Sequence, residues 1–136
     1  MGVLLNKQSG LQALSGIPGG DCRDICAAAA KGEKGAELAL EMLAYRTALY
    51  IGGYNTVVGG ADAIVMTGGI GENSSEVRAR IVGRLGALGI SLDRKANAKT
   101  HGTTAVISTK GSKIPVVVLP TNEELMIARD TVRVLG

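Results

Sequence analysis

The chain contains no Phe and no Trp, and only three Tyr among its 136 residues. A core without large rings must be built from Ala, Val, Ile, Leu and Met, and there is no row of rings on which unpaired bases could stack. The net charge is only +3 and the basic residues are scattered, which argues further against a nucleic-acid partner. No apolar run approaches the ~20 residues of a membrane span, so no membrane partner is expected. The opening Met1-Gly2-Val3-Leu4-Leu5 lacks the regions of a secretory signal. Cysteine is scarce as well. Cys22 and Cys26, with the single His101, give three possible metal ligands, and their spacing is not that of a zinc site. They read as two small buried hydrophobes in a reducing, cytoplasmic compartment. Glycine, by contrast, is abundant, at 20 residues. It adds entropy to be lost on folding and little surface to bury, so a marginally stable chain that needs a partner surface is expected.

Three of those glycines stand within four positions. Residues 62–76 read Asp-Ala-Ile-Val-Met-Thr-Gly-Gly-Ile-Gly-Glu-Asn-Ser-Ser-Glu. Ala63 to Met66 is short and apolar enough for a buried strand. Gly68, Gly69 and Gly71 leave the backbone open to close approach. Asn73 and Glu76 have the spacing of a helix N-cap and its return partner, and Val77, Ile81, Leu85 and Leu88 then recur at helical spacing up to Gly89. A strand, a glycine turn and a helix start place backbone N–H groups at the carboxyl end of a strand, where α/β proteins bind ligands. The turn is not a P-loop, because no Gly-Lys-Ser/Thr follows. As a dinucleotide fingerprint it lacks the third glycine, which is Ser74. The residues alone leave a ligand turn and a purely structural turn both open.

Elsewhere the pattern predicts mostly helix. Residues 1–20 show no periodicity, and residues 15–20 read as loop. Asp21 reads as the cap of a short alanine-rich helix ending at Gly32. A longer helix is expected from Glu33 to about Val58, with Leu38, Met42, Tyr45 and Leu49 as its apolar stripe. Gly52-Gly53 inside it suggests a backbone crossing closely there, or else a kink or an end of the helix. Arg78, Arg80 and Arg84 read as a solvated basic face, and residues 92–102 as irregular. Residues 104–108 and 114–119 read as a hairpin, the second strand covered on both faces. Thr121 and Glu124 have the spacing of a capping box for a last helix with the stripe Leu125, Ala128, Val132 and Leu135.

Thr67-Gly68-Gly69-Ile70-Gly71-Glu72-Asn73-Ser74 resembles the adenosine-site loop of acetate kinases, in the acetate and sugar kinase, Hsp70 and actin superfamily. Two more stretches agree in order. Asn6-Lys7-Gln8-Ser9-Gly10 with Asp21-Cys22-Arg23-Asp24 is similar to the family's Asn-Lys-x-Ser-Gly and Asp-x-Arg-Asp segments. Pro120-Thr121-Asn122-Glu123-Glu124-Leu125-Met126-Ile127-Ala128 is similar to its C-terminal signature. The likeness runs from about Asn6 to the end and covers about the last third of such an enzyme. It implies an α/β fold, the C-terminal portion of a ribonuclease H-like, actin-like ATPase lobe, incomplete relative to the family. Gly19-Gly20 and Cys22 depart from common members.

The resemblance implies reversible phosphoryl transfer between ATP and acetate, giving ADP and acetyl phosphate. A propionate or butyrate kinase of the same family would share these segments, and a non-catalytic nucleotide-binding module is the rival from another class. It implies adenosine contacts at Asp21, Cys22, Arg23, Gly69, Ile70, Gly71, Glu72 and Asn73. On chemistry alone Asp21 and Arg23 could equally be a helix cap and a solvated cation. It implies an essential glutamate, taken as Glu123, holding Mg²⁺ on the nucleotide phosphates. The same choice follows if Glu124 is used in the capping box, which leaves Glu123 at a helix start without a local partner. It also implies a homodimer. The transition-state arginines, the His, the Asp and the Asn near the phosphates lie upstream of this chain in the family, so no catalytic residue is expected here and the chain alone should be inactive.

Overall fold

The computed structural model describes residues 2–3 and 8–136, with the side chain of Glu123 outside the described set. The first two residues of the Asn-Lys-x-Ser-Gly segment also lie outside it. Against expectation, a short helix, α1, forms over Gly10–Ser15, too brief for periodicity to reveal. A tight 3-10 turn at Pro18–Gly20 leads to α2, Cys22–Ala30. Asp21 caps α2 as expected, its carboxylate accepting from the Arg23 amide at 2.8 Å.

The long helix α3, Lys34–Val57, runs without interruption through Gly52 and Gly53. Among the described residues nothing approaches a side chain built at either glycine, so they do not supply the crossing backbone. The apolar stripe of α3 is also reversed. Ala36, Ala39, Leu40 and Ala44 are buried, while Leu38, Met42, Tyr45 and Leu49 are exposed. Apolar residues run almost all round this helix, so periodicity could not decide which face turns inward. The small alanines do, because they let α2 and α5 come close.

Strand β1, Ile64–Met66, follows. Next come α4, Gly68–Asn73, and α5, Ser75–Gly83, then a 3-10 turn at Gly86–Leu88 closed by Gly89 in the left-handed region. The segment read as irregular contains α6, Arg94–Lys99, capped by Asp93, whose carboxylate accepts from Lys95 and Ala96 at 2.9 Å. Strands β2, Ala105–Val106, and β3, Val116–Val118, make the predicted antiparallel hairpin.

The sheet order is β1-β3-β2, with β1 parallel to β3 in the register Ile64↔Val116 and Met66↔Val118. Helices cover one face, where Val116 and Val118 are fully buried. On the other face Val65 and Val106 are exposed and Val117 is half-buried, so β3 is only partly covered on the second side predicted for it. The last helix, α7, Glu123–Leu135, leaves its whole apolar stripe in solvent as well. Its cap is Asn122, whose Oδ1 accepts from the Leu125 amide at 2.9 Å, and not Thr121.

Candidate functional site

A cavity of about 740 Å³ opens between the start of α2 and α4, at the carboxyl end of β1. Asp21, Cys22, Arg23, Gly69, Ile70 and Asn73 line it, bringing together residues almost fifty apart in sequence. Cys26 and Ser74 line it too. Neither was singled out for this pocket, although Cys26, four residues after Cys22, had to share its helix face. Gly71 and Glu72 do not line it.

The three glycines of the turn have different employments. Gly68 has φ +71°, a conformation strained for any residue with a side chain. At Gly71 a Cβ would stand 3.0 Å from the Met66 carbonyl carbon, so a side chain there would push α4 and β1 apart by a few tenths of an ångström. Gly69 has neither constraint. Its φ is not positive, and a Cβ there would meet nothing among the described residues within 4 Å. It faces the cavity.

Glu72 holds the turn together. Its Oε1 accepts from the Gly68 amide, the Thr121 amide and the Thr121 hydroxyl, each at 2.9 Å. The Thr121 amide and hydroxyl, with the Gly68 amide, draw its pKa below the usual glutamate value. This ties the turn to the segment that opens α7. The next cap also moves by one residue. Ser74, not Asn73, caps α5, accepting from the Val77 amide at 3.3 Å. Asn73 ends α4 and turns its amide back to the Gly69 carbonyl at 3.1 Å, and Glu76 pairs with Arg80.

Beneath the turn lies the residue that sequence reasoning placed in solvent. Arg78 is fully buried. Its Nε donates to Asn97 Oδ1 at 2.8 Å, and one terminal nitrogen donates to the Gly71 and Glu72 carbonyls at 2.9 Å. The other donates to the Asn97 and Thr100 carbonyls at 2.9 and 2.7 Å. All five guanidinium donors are used, and no carboxylate is among their acceptors. Burial lowers its pKa from the ordinary arginine value, but a guanidinium stays charged in a protein. Its charge is met by the carbonyl ends of two short helices, α4 and α6, whose dipoles point their negative ends at it. Arg80 is no solvated cation either. It bridges α5 to α3 through Glu37 at 2.7 Å and Glu41 at 2.6 Å, and Arg84 also pairs with Glu41.

At the opposite wall, Arg23 lies along Asp21, with Nε to Oδ1 at 3.1 Å and the terminal nitrogen to Oδ2 at 2.7 Å. These bonds hold the Asp21 pKa down at about 2. Asp21 therefore caps α2 and orients Arg23 at the same time. The Arg23 side chain stays 90% exposed, its guanidinium able to stack on a flat ligand.

A sequence model of the acetokinase family matches residues 1–129. The chain belongs to the acetokinase family. It is 55% identical over 134 residues to acetate kinase 1 of Neisseria meningitidis, covering 98% of this chain and 33% of that protein. It is 52% identical over 128 residues to acetate kinase of Clostridium novyi, covering 94% and 31%. Among solved structures, acetate kinase of Porphyromonas gingivalis superposes with a TM-score of 0.89 at 41% identity, over 99% of this chain and 34% of that one. A propionate kinase from Francisella tularensis superposes at 0.85 and 39%, over 93% and 32%. The chain spans about a third of the length of the relatives it matches. The α/β architecture is accordingly a portion of the fold of this acetokinase family.

Within that family portion, the described residues contain no group of three His, Cys, Asp or Glu that could hold a metal ion. No helix among them is long and apolar enough to cross a membrane. The metal assignment to Glu123 concerns a side chain outside the described residues. Its capping argument no longer holds, because Asn122 takes the role given to Thr121 and Glu124.

Proposed function

We propose that this chain is the adenosine and magnesium side of an acetate kinase, a cytoplasmic enzyme that interconverts ATP and acetate with ADP and acetyl phosphate. The observation that carries the reading is Gly69. Of the three turn glycines it alone has no reason among the described residues to lack a side chain, and it lines the cavity together with the exposed Arg23 side chain. A flat base stacked on Arg23 against Gly69 and Ile70 supplies that reason. The two glycines give a paired test. Gly69→Ala should fold as well as the parent or better by ~0.5–1 kcal/mol, since alanine is the better helix residue. It should bind adenosine about 10-fold more weakly. Gly71→Ala should lose stability, by its contact with Met66. Equilibrium dialysis and urea unfolding measure both. Gly69→Ala binding adenosine as the parent does would overturn the reading.

The donor chemistry fits magnesium held largely through nucleotide phosphates with one carboxylate, not a protein cage. The Glu72 contacts to Thr121 bring the first turn of α7 to the end of the glycine turn, and Glu123 opens that helix. Magnesium bound there would neutralise phosphate charge. In the longer enzyme, Glu123→Ala should raise the Mg²⁺ requirement about 10-fold or more. Glu124→Ala should not, and neither should it cost a cap. Normal magnesium dependence in Glu123→Ala would contradict the assignment.

Two kinds of partner complete this reading: the remainder of the longer enzyme, and a second copy in a homodimer. The bare apolar faces support them. These are the outer stripe of α3 with the open Gly52-Gly53 step, the sheet face with Val65 and Val106 exposed, and the stripe of α7. Propionate is the alternative acyl substrate, supported by the match to the Francisella tularensis propionate kinase.

A further inference from the structure

We propose that Cys26 is a thiol-modification site inside the nucleotide pocket, where a mixed disulfide with a small thiol and bound adenosine exclude one another. The inference rests on the adenosine reading above. Two free cysteines line the cavity, from successive turns of α2. They are not equivalent. Cys22 is buried in the core cluster. Burial first, and the neighbouring Cys26 thiol second, push its pKa up to about 12, so it stays protonated and unreactive. Cys26 is half-buried, and its Sγ lies 3.8 Å from the Ser74 hydroxyl that caps α5. It therefore stands where α2 meets the end of the glycine turn, on the cavity wall shared with Asn73 and Ile70.

The step is thiol–disulfide exchange with a low-molecular-weight disulfide as oxidant. The Cys26 thiolate attacks one sulfur, the reagent's S–S bond breaks, and a new S–S bond joins Cys26 to that half. The other half leaves as a thiolate and takes up the proton that Cys26 lost. The protein sulfur is oxidised and the leaving half is reduced. Closure to an internal Cys22–Cys26 disulfide is not accessible. Residues four apart on a helix hold their Cβ atoms about 5–6 Å apart, whereas a disulfide needs about 3.5–4.5 Å. Closing it would unwind the first turn of α2. The reaction stops at the mixed disulfide, whose added group occupies the cavity, and a reductant removes it.

The test uses the whole chain and hydroxyethyl disulfide as the probe. Adenosine binding is measured by equilibrium dialysis before treatment, after treatment, and after reduction with dithiothreitol. Peptide mass spectrometry locates the adduct. One adduct is expected, on Cys26, with adenosine affinity lowered about 10-fold or more and restored by reduction. Saturating adenosine should slow adduct formation by a similar factor, and Cys26→Ser should take up none while folded. An adduct on Cys22, or a thiolated chain that binds adenosine like the untreated one, overturns the inference. A chain that binds no adenosine before any reagent is added overturns the pocket reading, and this inference with it. The first dialysis separates that outcome from the others.

Discussion

Arg78→Ala is expected to cost at least about 3 kcal/mol of folding stability, because each buried carbonyl left without a partner costs about 1–3 kcal/mol. Four backbone carbonyls and the Asn97 amide oxygen lose a donor at once; the Glu72 and Asn97 carbonyls keep the Gly102 and Thr100 amides, while the Gly71 and Thr100 carbonyls and the Asn97 amide oxygen lose the guanidinium that satisfies them. Water can replace some of them only by entering a site that is fully buried. Folded domains have about 5–15 kcal/mol in total, and a glycine-rich chain without Phe or Trp belongs near the lower end. The variant should therefore populate unfolded molecules without denaturant. Arg78→Lys keeps the charge but offers three donors in place of five, without the planar fork, so it should fall between the two. Urea unfolding followed by far-ultraviolet circular dichroism measures this. An Arg78→Ala midpoint equal to the parent's would contradict the role given to this residue.

The second large effect concerns turnover. This chain alone is expected to make no acetyl phosphate from ATP and acetate. Phosphoryl transfer needs positive charge around the transferring group and a positioned nucleophile. The arginines nearest the turn and the cavity are otherwise engaged. Arg78 is enclosed by carbonyls, Arg80 and Arg84 are paired with glutamates, and Arg23 lies along Asp21 at the opposite wall. His101 turns its ring to the Asn73 and Ala98 carbonyls at 3.2 and 3.1 Å. Since the chain spans about a third of its acetate kinase relatives, a hydroxamate assay should respond only when the remainder is present. Turnover by this chain comparable to a complete acetate kinase would contradict the account.

What could be read from the sequence was local. The strand before the glycine turn, the cap at Asp21, the length of α3 and the hairpin of β2 and β3 each depend on neighbours a few residues away. The failures were decided by residues far off. Asn73 and Ser74 are both good caps, and Thr121 and Asn122 are too. Glu72, 49 residues from Thr121, holds the threonine by both its amide and its hydroxyl, and the helix start falls to Asn122. Arg78 lies on a helix whose other arginines meet glutamates, and nothing at its own position announces that α4 and α6 close over it. The reversal of α3 has another cause. Leu38, Met42, Tyr45 and Leu49 make a stripe made for burial, but among the described residues no surface buries it. At the candidate site, the glycines were legible as a group. Their separate roles were not, because turn geometry, close packing and open space distinguish them only in three dimensions.

The central claim is that adenosine lies between Arg23 and the glycine turn. The most direct measurement is amide hydrogen exchange across residues 68–73, in the folded chain, with and without millimolar adenosine nucleotide. The account predicts slower exchange there, with weak overall affinity because the phosphate contacts of the longer enzyme are absent. Unchanged exchange in a chain shown to be folded would contradict it and leave the turn a purely structural one.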